Sequence, residues 1–598
     1  MRTLFVIIAV LLTVSLSGHV AEQGVYAADE RATEKLAALI KDERAFHYQE
    51  NPGTGPRSAP RPRARSLKSA APADLRRRQQ VLNGFKARLV EIEETELDEA
   101  DRLNKTMLAY KLDSDLLFLE HRTWRLPLFS DSGFHTSPAR LWRNINFKSR
   151  MDYEAYIEQL SDIPRYLREH TENLKLGIAE GFTMPQVVLS GLLPTFRAQV
   201  VSRVDESAFY KPFAEMTPNL SASEAASLRE QAAQVIKGKV IPAYAELARF
   251  MEQDYMPVAR RSIGANNLPN GEKYYAAMVQ YYTTLDVNAN EVHALGLREV
   301  ARIRHEMEQV IKETGFSGSF TDFLVFLRTD PQFYAVTEKQ LLKEASYIAK
   351  QIDGRLPQLF SKLPRQPYGV EAVPDAIAPN YTTGRYLQAA KDAPRGGYYW
   401  VNTYALNTRP LYVLPSLTLH EAMPGHHLQI AIAAELEDVP DFRLDIYPHA
   451  FGEGWGLYAE KLGLEMGVYE TPYQQFGRLT YEMWRACRLV IDTGIHAKGW
   501  SRERAIKLLE DNSALSKHNI RVEVDRYIAW PGQALAYKMG ELKILELRAH
   551  ATKSLGAAFD VREFHNQVLA AGGIPLFLLE ARIDSWIAQE HMAKNATH

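Results

Sequence analysis

Leu417-Thr418-Leu419-His420-Glu421-Ala422-Met423-Pro424-Gly425-His426-His427-Leu428-Gln429 is the stretch on which the reading of this chain turns. It places three histidines and a glutamate within eight residues, then runs into an apolar helical pattern from Ile430 to Leu436. A second cluster, Phe451-Gly452-Glu453-Gly454-Trp455, follows about two dozen residues later. His-Glu, then His, then a distant Glu is the ligand order of zinc hydrolases whose third ligand is a carboxylate. On the helix of such enzymes the two histidines stand at i and i+4, one turn apart. Here position i+4 from His420 is Pro424, and the next histidines fall at i+6 and i+7. On a regular helix i+6 lies about 120° away from i, while i+7 shares its face but sits ~10.5 Å along the axis. Neither meets an ion held by His420 unless the helix is interrupted. Pro424 lacks a backbone N–H and crowds the preceding turn, and Gly425 tolerates unusual dihedrals. Pro-Gly is therefore the expected device that breaks the helix and returns His426 or His427 to the metal. The other ring is left to orient substrate or a ligand.

Zinc hydrolysis needs neutral imidazole or carboxylate ligands, one open position for water and a base beside that water. His420 is the first candidate ligand, His426 and His427 compete for the second, and Glu453 closes the set from a following helix. Glu421, next to His420, is the candidate general base. One histidine or glutamate alone is more often a packed, hydrogen-bonded residue; three histidines and two glutamates in this order tip the balance towards metal. Downstream, Arg521 to Gln533 is dense in polar groups, with Tyr537-Lys538 close behind. A hydroxyl such as that of Tyr527 is a candidate donor to the oxyanion of a tetrahedral intermediate, although a core role is the commoner fate of a tyrosine in such a run.

The rest of the chain frames these residues. A formal charge of −2 over 598 residues argues against nucleic acid as a partner. Residues 1–27 read as a Sec-type secretory signal: Arg2, the apolar run Leu4–Leu16, then small-residue cleavage sites ending at Ala21 or Ala27. That run is too short for a span, which takes ~20 apolar residues, so no stable membrane insertion is expected after cleavage. The only cysteine is Cys487, so disulfides within the chain and a lipid anchor near the cleavage site are not expected. Residues 28–74 are read as a linker, Pro- and Arg-rich between Asn51 and Arg78 (Pro60-Arg61-Pro62-Arg63), and 75–598 as one helical domain.

Leu82, Phe85, Leu89, Ile92 and Leu97 open a helical texture that continues through Tyr153–Leu160 up to a break at Pro164. It resumes over Ser221–Phe250, Val292–Ile311, Phe451–Leu464, Tyr473–His496, Arg502–Leu509 and Val522–His550. His305-Glu306 lacks a second histidine and reads as a surface pair. Strand texture is confined to Gly396–Thr403, just before the histidine cluster, where it offers backbone groups to an extended peptide or a plain core strand.

His420-Glu-Ala-Met-Pro-Gly-His-His-Leu-Gln429 resembles the hallmark of a large bacterial family catalogued as domain of unknown function 885 and grouped with zincin-like metallopeptidases. The likeness extends to Tyr156–Leu167, Thr283–Leu297, Gly452–Trp455 with Tyr458 and Glu460, and Arg526–Lys538. It implies a mainly α, zincin-like helical peptidase fold with a deep cleft and a small β-sheet beside the active-site helix. At longer range the chain is similar to angiotensin-converting enzyme and the oligopeptidases. That similarity implies Glu453 as third zinc ligand and Tyr527 as oxyanion donor. His427-Leu-Gln resembles the run at that enzyme's second ligand and favours His427, whereas the preceding Gly-His pair favours His426. The extra residues around Met423-Pro424 depart from the short-spaced motif. The expectation is an exported (periplasmic or secreted) zinc peptidase that cleaves short peptides, with Glu421 as base. A metal-dependent amidase or esterase is the alternative chemistry, and a non-catalytic peptide-binding or scaffold protein the alternative class.

Overall fold

Capping residues in the sequence mark where the helices of this computed structural model begin; it describes residues 32–596 except 131, 376–377, 389–394 and 438. The expected signal segment, 1–27, lies outside the described residues. Ser149 and Asp152 form a capping box at the start of α1 (Arg150–Glu180), and Asn288 with Glu291 does the same for α2 (Ala289–Glu313). α1 continues past Pro164, where a break is expected. Its buried face, from Tyr153 and Tyr156 through Ile163 to Leu167 and Leu174, spans the proline, so tertiary packing offsets the lost ladder bond. Val522–His550, read as one helix, is two: α7 (Lys517–Ala529) and α8 (Ala536–Leu555). They part at Trp530-Pro531-Gly532, where Gly532 takes φ +84°.

The Pro/Arg-rich segment is a strap rather than a free tether. Arg63 Nε meets Asp152 at 2.5 Å, Leu67 N donates to Asp162 at 2.7 Å and Ala70 N donates to Glu169 at 2.8 Å, all on α1. Residues 32–50, also assigned to the linker, form a helix that buries Ala32, Leu36 and Leu39. Its arginines and backbone thus find fixed partners in carboxylates that composition alone does not reveal.

Three short strands form the sheet, in the order β1 (Tyr368–Ala372), β3 (Gly397–Val401), β2 (Gly384–Leu387). β3, the anticipated strand, is central: it pairs parallel to β1 and antiparallel to β2, with Tyr386 opposite Tyr399. β2 is therefore an edge, and it lies against α3 (Leu414–Glu421), the helix that ends in His420-Glu421. Every residue of α3 is buried. Leu414 and Leu417 pack into one large apolar core with α1 and β3; Leu419 and Met423 pack into a second with α5 (His449–Glu465) and α8. The His-Glu pair consequently sits at the seam of two cores, held from both sides.

Candidate metal centre

α3 stops at Glu421, and α4 (His426–Ala434) starts five residues later. Between them Ala422 and Gly425 adopt ψ −118° and −128°, so the chain folds back over the end of α3. Gly425 is obligatory there: a Cβ at this position would stand 1.9 Å from the His420 carbonyl oxygen. The interruption places His426, not His427, beside His420. The two rings are perpendicular with centroids 4.7 Å apart. Glu453 Oε2 lies 3.7 Å from His420 Nε2 and 3.6 Å from His426 Nε2. One ligand atom from each of these three residues falls within 4.8 Å of the others. Ligands ~2.0–2.1 Å from a tetrahedral ion stand about 3.3 Å apart, so the two Glu453–histidine distances match zinc after a contraction of a few tenths of an ångström. The buried Nδ1 of His426 has no hydrogen-bond partner among the described residues, whereas His420 is oriented from behind.

That orientation comes from Glu460, two turns beyond Glu453 on α5. Its Oε1 accepts a 2.8 Å hydrogen bond from His420 Nδ1, which directs Nε2 at the cluster, as outer carboxylates do in metal sites. Glu460 is itself 3.3 Å from Arg485 of α6 (Pro472–Lys498), and Tyr469 donates to its backbone carbonyl. Burial opposes charge on His420, yet Glu453 and Glu460 hold its pKa up at about 10. Burial likewise works against an ionised Glu453, and the two imidazoles keep its carboxyl well below the usual range. Carboxylates and rings together define a place that favours positive charge.

His427 is a correction to the candidate ligand set. Its Nε2 donates to the Gln366 carbonyl at 3.0 Å, which leaves Nδ1 to accept from the Tyr386 hydroxyl at 3.0 Å. Both nitrogens are engaged, and burial lowers its pKa to about 4, so it serves as a neutral strut between α4 and the sheet. Tyr527 is the second correction. Its hydroxyl donates to Glu523 at 2.9 Å and accepts from Trp484 at 2.9 Å and Arg488 at 3.0 Å. At 1% exposure and with its hydrogen-bonding capacity used, it has nothing left for a substrate.

Glu421 is buried at the head of the cluster, and its Oε2 accepts from the backbone N–H of Tyr386 in β2 at 2.8 Å. A hydroxyl that the sequence reading missed also stands here. Tyr447 reaches over Gly452, where an added Cβ would come within 2.3 Å of its oxygen. The residue is 41% exposed, yet desolvation at its hydroxyl, then the nearby carboxylates of Glu453 and Glu421, raise its pKa above the usual tyrosine value. Its position in an otherwise unpatterned Asp-Ile-Tyr-Pro run gave no signal; Glu460 did, by sharing a helix face with Glu453. The arrangement brings His420, His426, Glu453 and Glu421 together: two imidazoles and a carboxylate that could hold a metal ion, a second carboxylate beside them, and a phenol.

The crystal structure described as a "putative lipoprotein from Colwellia psychrerythraea" matches with a TM-score of 0.85 at 26% identity, over 93% of this chain and 100% of that one. A "putative lipoprotein of unknown function from Shewanella oneidensis" matches at 0.69 and 18% identity, over 92% and 99% of the two chains, and so shares the fold. No curated protein matches the chain. The sequence profile of "Bacterial protein of unknown function (DUF885)" matches residues 54–583, which include α1 to α8 and the sheet. By that match the chain belongs to the DUF885 family of bacterial proteins.

Proposed function

We propose that this protein is an exported, zinc-dependent peptidase with a zincin-like cleft. His420, His426 and Glu453 hold the ion, Glu421 is the general base, and short peptides are the substrates. The observation that carries the reading is the convergence of three ligand atoms within 4.8 Å beside a glutamate that a strand N–H holds in place. Two imidazoles and one carboxylate suit zinc better than calcium or magnesium, which take oxygen ligands. An ion held by His420, His426 and Glu453 would supply Lewis-acid chemistry, polarising a carbonyl and lowering the pKa of water. Glu421 accepts the proton of the attacking water and passes it to the leaving amine. Tyr447 donates to the developing oxyanion, the part that the enclosed Tyr527 hydroxyl cannot take. Glu460 keeps the His420 ring in register throughout. Export is supported by the leader-like N-terminus and by the lipoprotein description of the Colwellia psychrerythraea protein.

Metal content by mass spectrometry, measured beside cleavage of a mixed peptide library, tests the reading in wild type and Glu421→Gln. Stoichiometric zinc in both, with cleavage in wild type alone, is expected. Absence of zinc from both after reconstitution ends the metallopeptidase reading. Zinc in both with no cleavage by wild type favours the non-catalytic peptide-binding alternative.

A further inference from the structure

Arg485, Arg488 and Arg526 converge on one residue, Tyr537 at the start of α8. Arg488 stacks 4.2 Å from the centre of its ring and Arg485 lies 6.0 Å from it, while Arg526 Nη2 donates to its hydroxyl at 3.3 Å. α8 crosses α5 at bare backbone: a Cβ on Gly454 would come within 2.4 Å of Gly540 Cα. Gly454 follows Glu453, and Gly540 lies one turn after Tyr537, so the arginines and the metal centre flank a single helix contact.

The charges here do not cancel. Glu523 is shared by Arg488 at 2.9 Å and Arg526 at 3.6 Å and also accepts from Tyr527. Glu460, which meets Arg485, already serves His420. Three guanidiniums thus face two carboxylates, one of them committed elsewhere. Arg488 is 2% exposed, yet its Nη1 has no hydrogen-bond partner, and neither has Arg485 Nε. Buried positive charge in excess of its partners is unfavourable unless an anion offsets it. Arg526 is the member of the group open to a ligand, with 27% of its side chain exposed. Gln533 Oε1 holds its Nη2 at 2.8 Å.

A chain of ring contacts runs from Arg526 to His449 and Tyr447, beside the candidate ligands. Arg526 sits 5.7 Å from the Trp530 ring, and His449 lies 6.2 Å from Trp530, 5.1 Å from Tyr282 and 5.3 Å from Tyr447. The Nδ1 of His449 is buried without a partner. Burial first lowers the pKa of His449; Glu453 and Arg526 then act on the same ring in opposite directions, so both charges lie near it.

From this juxtaposition we propose that Arg526, with Tyr537 and His449, forms a subsite for a substrate carboxylate beside the metal centre, so that the preferred substrates are short peptides carrying a free carboxylate close to the scissile bond. Arginine's planar fork suits a carboxylate; here Nη2 already serves Gln533 and the Tyr537 hydroxyl, so Nη1 and Nε are the donors left for it, and the neighbouring aromatic rings receive the apolar part of the terminal residue. The proposal takes the location of the scissile bond from the peptidase reading, but carboxylate binding itself does not require turnover.

Calorimetry with hippurate and its neutral amide, hippuramide, separates the two. Each is titrated into zinc-loaded and zinc-free protein, wild type and Arg526→Gln, with thermal melts to confirm folding. The acid is expected to bind wild type about tenfold more tightly than the amide, with or without zinc, and the ratio to fall to about twofold in Arg526→Gln. Arg526→Lys, which keeps the charge but loses the fork, is expected to fall between them. An acid preference that survives Arg526→Gln, that exists only with zinc present, or that is absent from wild type overturns the proposal. Loss of the preference in about 0.1 M chloride or phosphate, beyond the change that an equal ionic strength of a bulky organic salt produces, assigns the site to a free inorganic anion and also overturns it. If peptides are cleaved, Arg526→Gln is expected to raise KM for the free acid while leaving kcat nearly unchanged. If none is cleaved, the peptidase reading falls and the binding ratio still decides this one.

Discussion

Two buried clusters of carboxylates lie within a few turns of each other, and they differ in what faces the negative charge. Around Lys538, which is fully buried, Glu482, Glu541 and Glu299 approach the ammonium at 2.8, 2.6 and 3.2 Å. Arg478 adds a 2.7 Å contact to Glu482, and Arg302 bridges Glu299 and Glu482. Burial opposes ionisation of Glu482, but Lys538, Arg478 and Arg302 hold its pKa well below the ordinary value. That cluster carries its own permanent cations and locks α2, α6 and α8 together. At the candidate metal centre the carboxylates of Glu453 and Glu460 face imidazoles, whose charge depends on a proton. Charge density alone therefore does not identify a site. What separates the two regions is whether the positive charge facing the carboxylates is permanent. Asp492 is a third case, a buried carboxylate with no cation at hand: it accepts from Tyr275 at 2.6 Å and from Gly532 N at 3.1 Å, and burial raises its pKa to about 7.

The comparison breaks first at Glu421. Glu421→Gln is expected to lower kcat by about 10²–10⁴-fold with zinc content unchanged, as measured by steady-state cleavage and metal analysis. Loss of zinc in that variant would make Glu421 part of the cation site instead of the base beside it.

Lys538→Met leaves three carboxylates buried around an apolar chain. Urea denaturation is expected to show a loss of about 3–5 kcal/mol, with zinc still bound to the folded protein. A loss within ~1 kcal/mol would mean that the Lys538 cluster adjusts its protonation as freely as the histidine cluster does.

Glu460→Gln sharpens the contrast from the other side. The neutral amide still holds the His420 ring but no longer polarises it, and zinc affinity, read by competition with a chelator, is expected to fall ~10–100-fold. His427→Ala is expected to leave zinc affinity close to wild type, and His426→Ala to abolish stoichiometric binding. Without zinc, the His420 pKa of about 10 stands above its unfolded value of 6.5. Its stabilising contribution is thus complete below pH 6.5 and disappears as pH rises through 10. Melting of zinc-free protein is expected to drop across that window more steeply in wild type than in Glu460→Gln.

Asp492 predicts the smallest effect. The folded state retains its proton to about pH 7 and the unfolded state releases it near 3.8, so ionisation destabilises the fold progressively between those values. Asp492→Asn keeps an oxygen for Tyr275 and Gly532, and is expected to melt a few degrees higher at pH 8 and nearly with wild type at pH 4.

How far the sequence speaks depends on the range of the interaction. Capping boxes at Ser149, Ser221 and Asn288 and the apolar periodicity of α2, α5 and α6 announce helices because each signal acts within one or two turns. β3 was legible for the same reason, as a β-branched and aromatic run after Gly-Gly. Pro531-Gly532 was passed over as a helix end, and Pro164 was given too much weight, because the packing of α1 on both sides of that proline comes from distant segments. The strap failed for a related reason: arginines in a Pro-rich run look solvated until the carboxylates of α1, a hundred positions away, are placed beneath them.

Sequence by itself determined the mainly helical class, the cluster of ligand types around His420, and the interruption at Pro424-Gly425, which is a local steric fact. Only the tertiary structure decided between His426 and His427. The two are neighbours with the same chemistry, and the choice rests on which nitrogen meets Glu453 and which meets Gln366 and Tyr386. It likewise enclosed Tyr527 and brought Tyr447 to the centre, since a hydroxyl's role follows from what its oxygen meets across the fold, and for Tyr527 those contacts reach 43 positions along the chain.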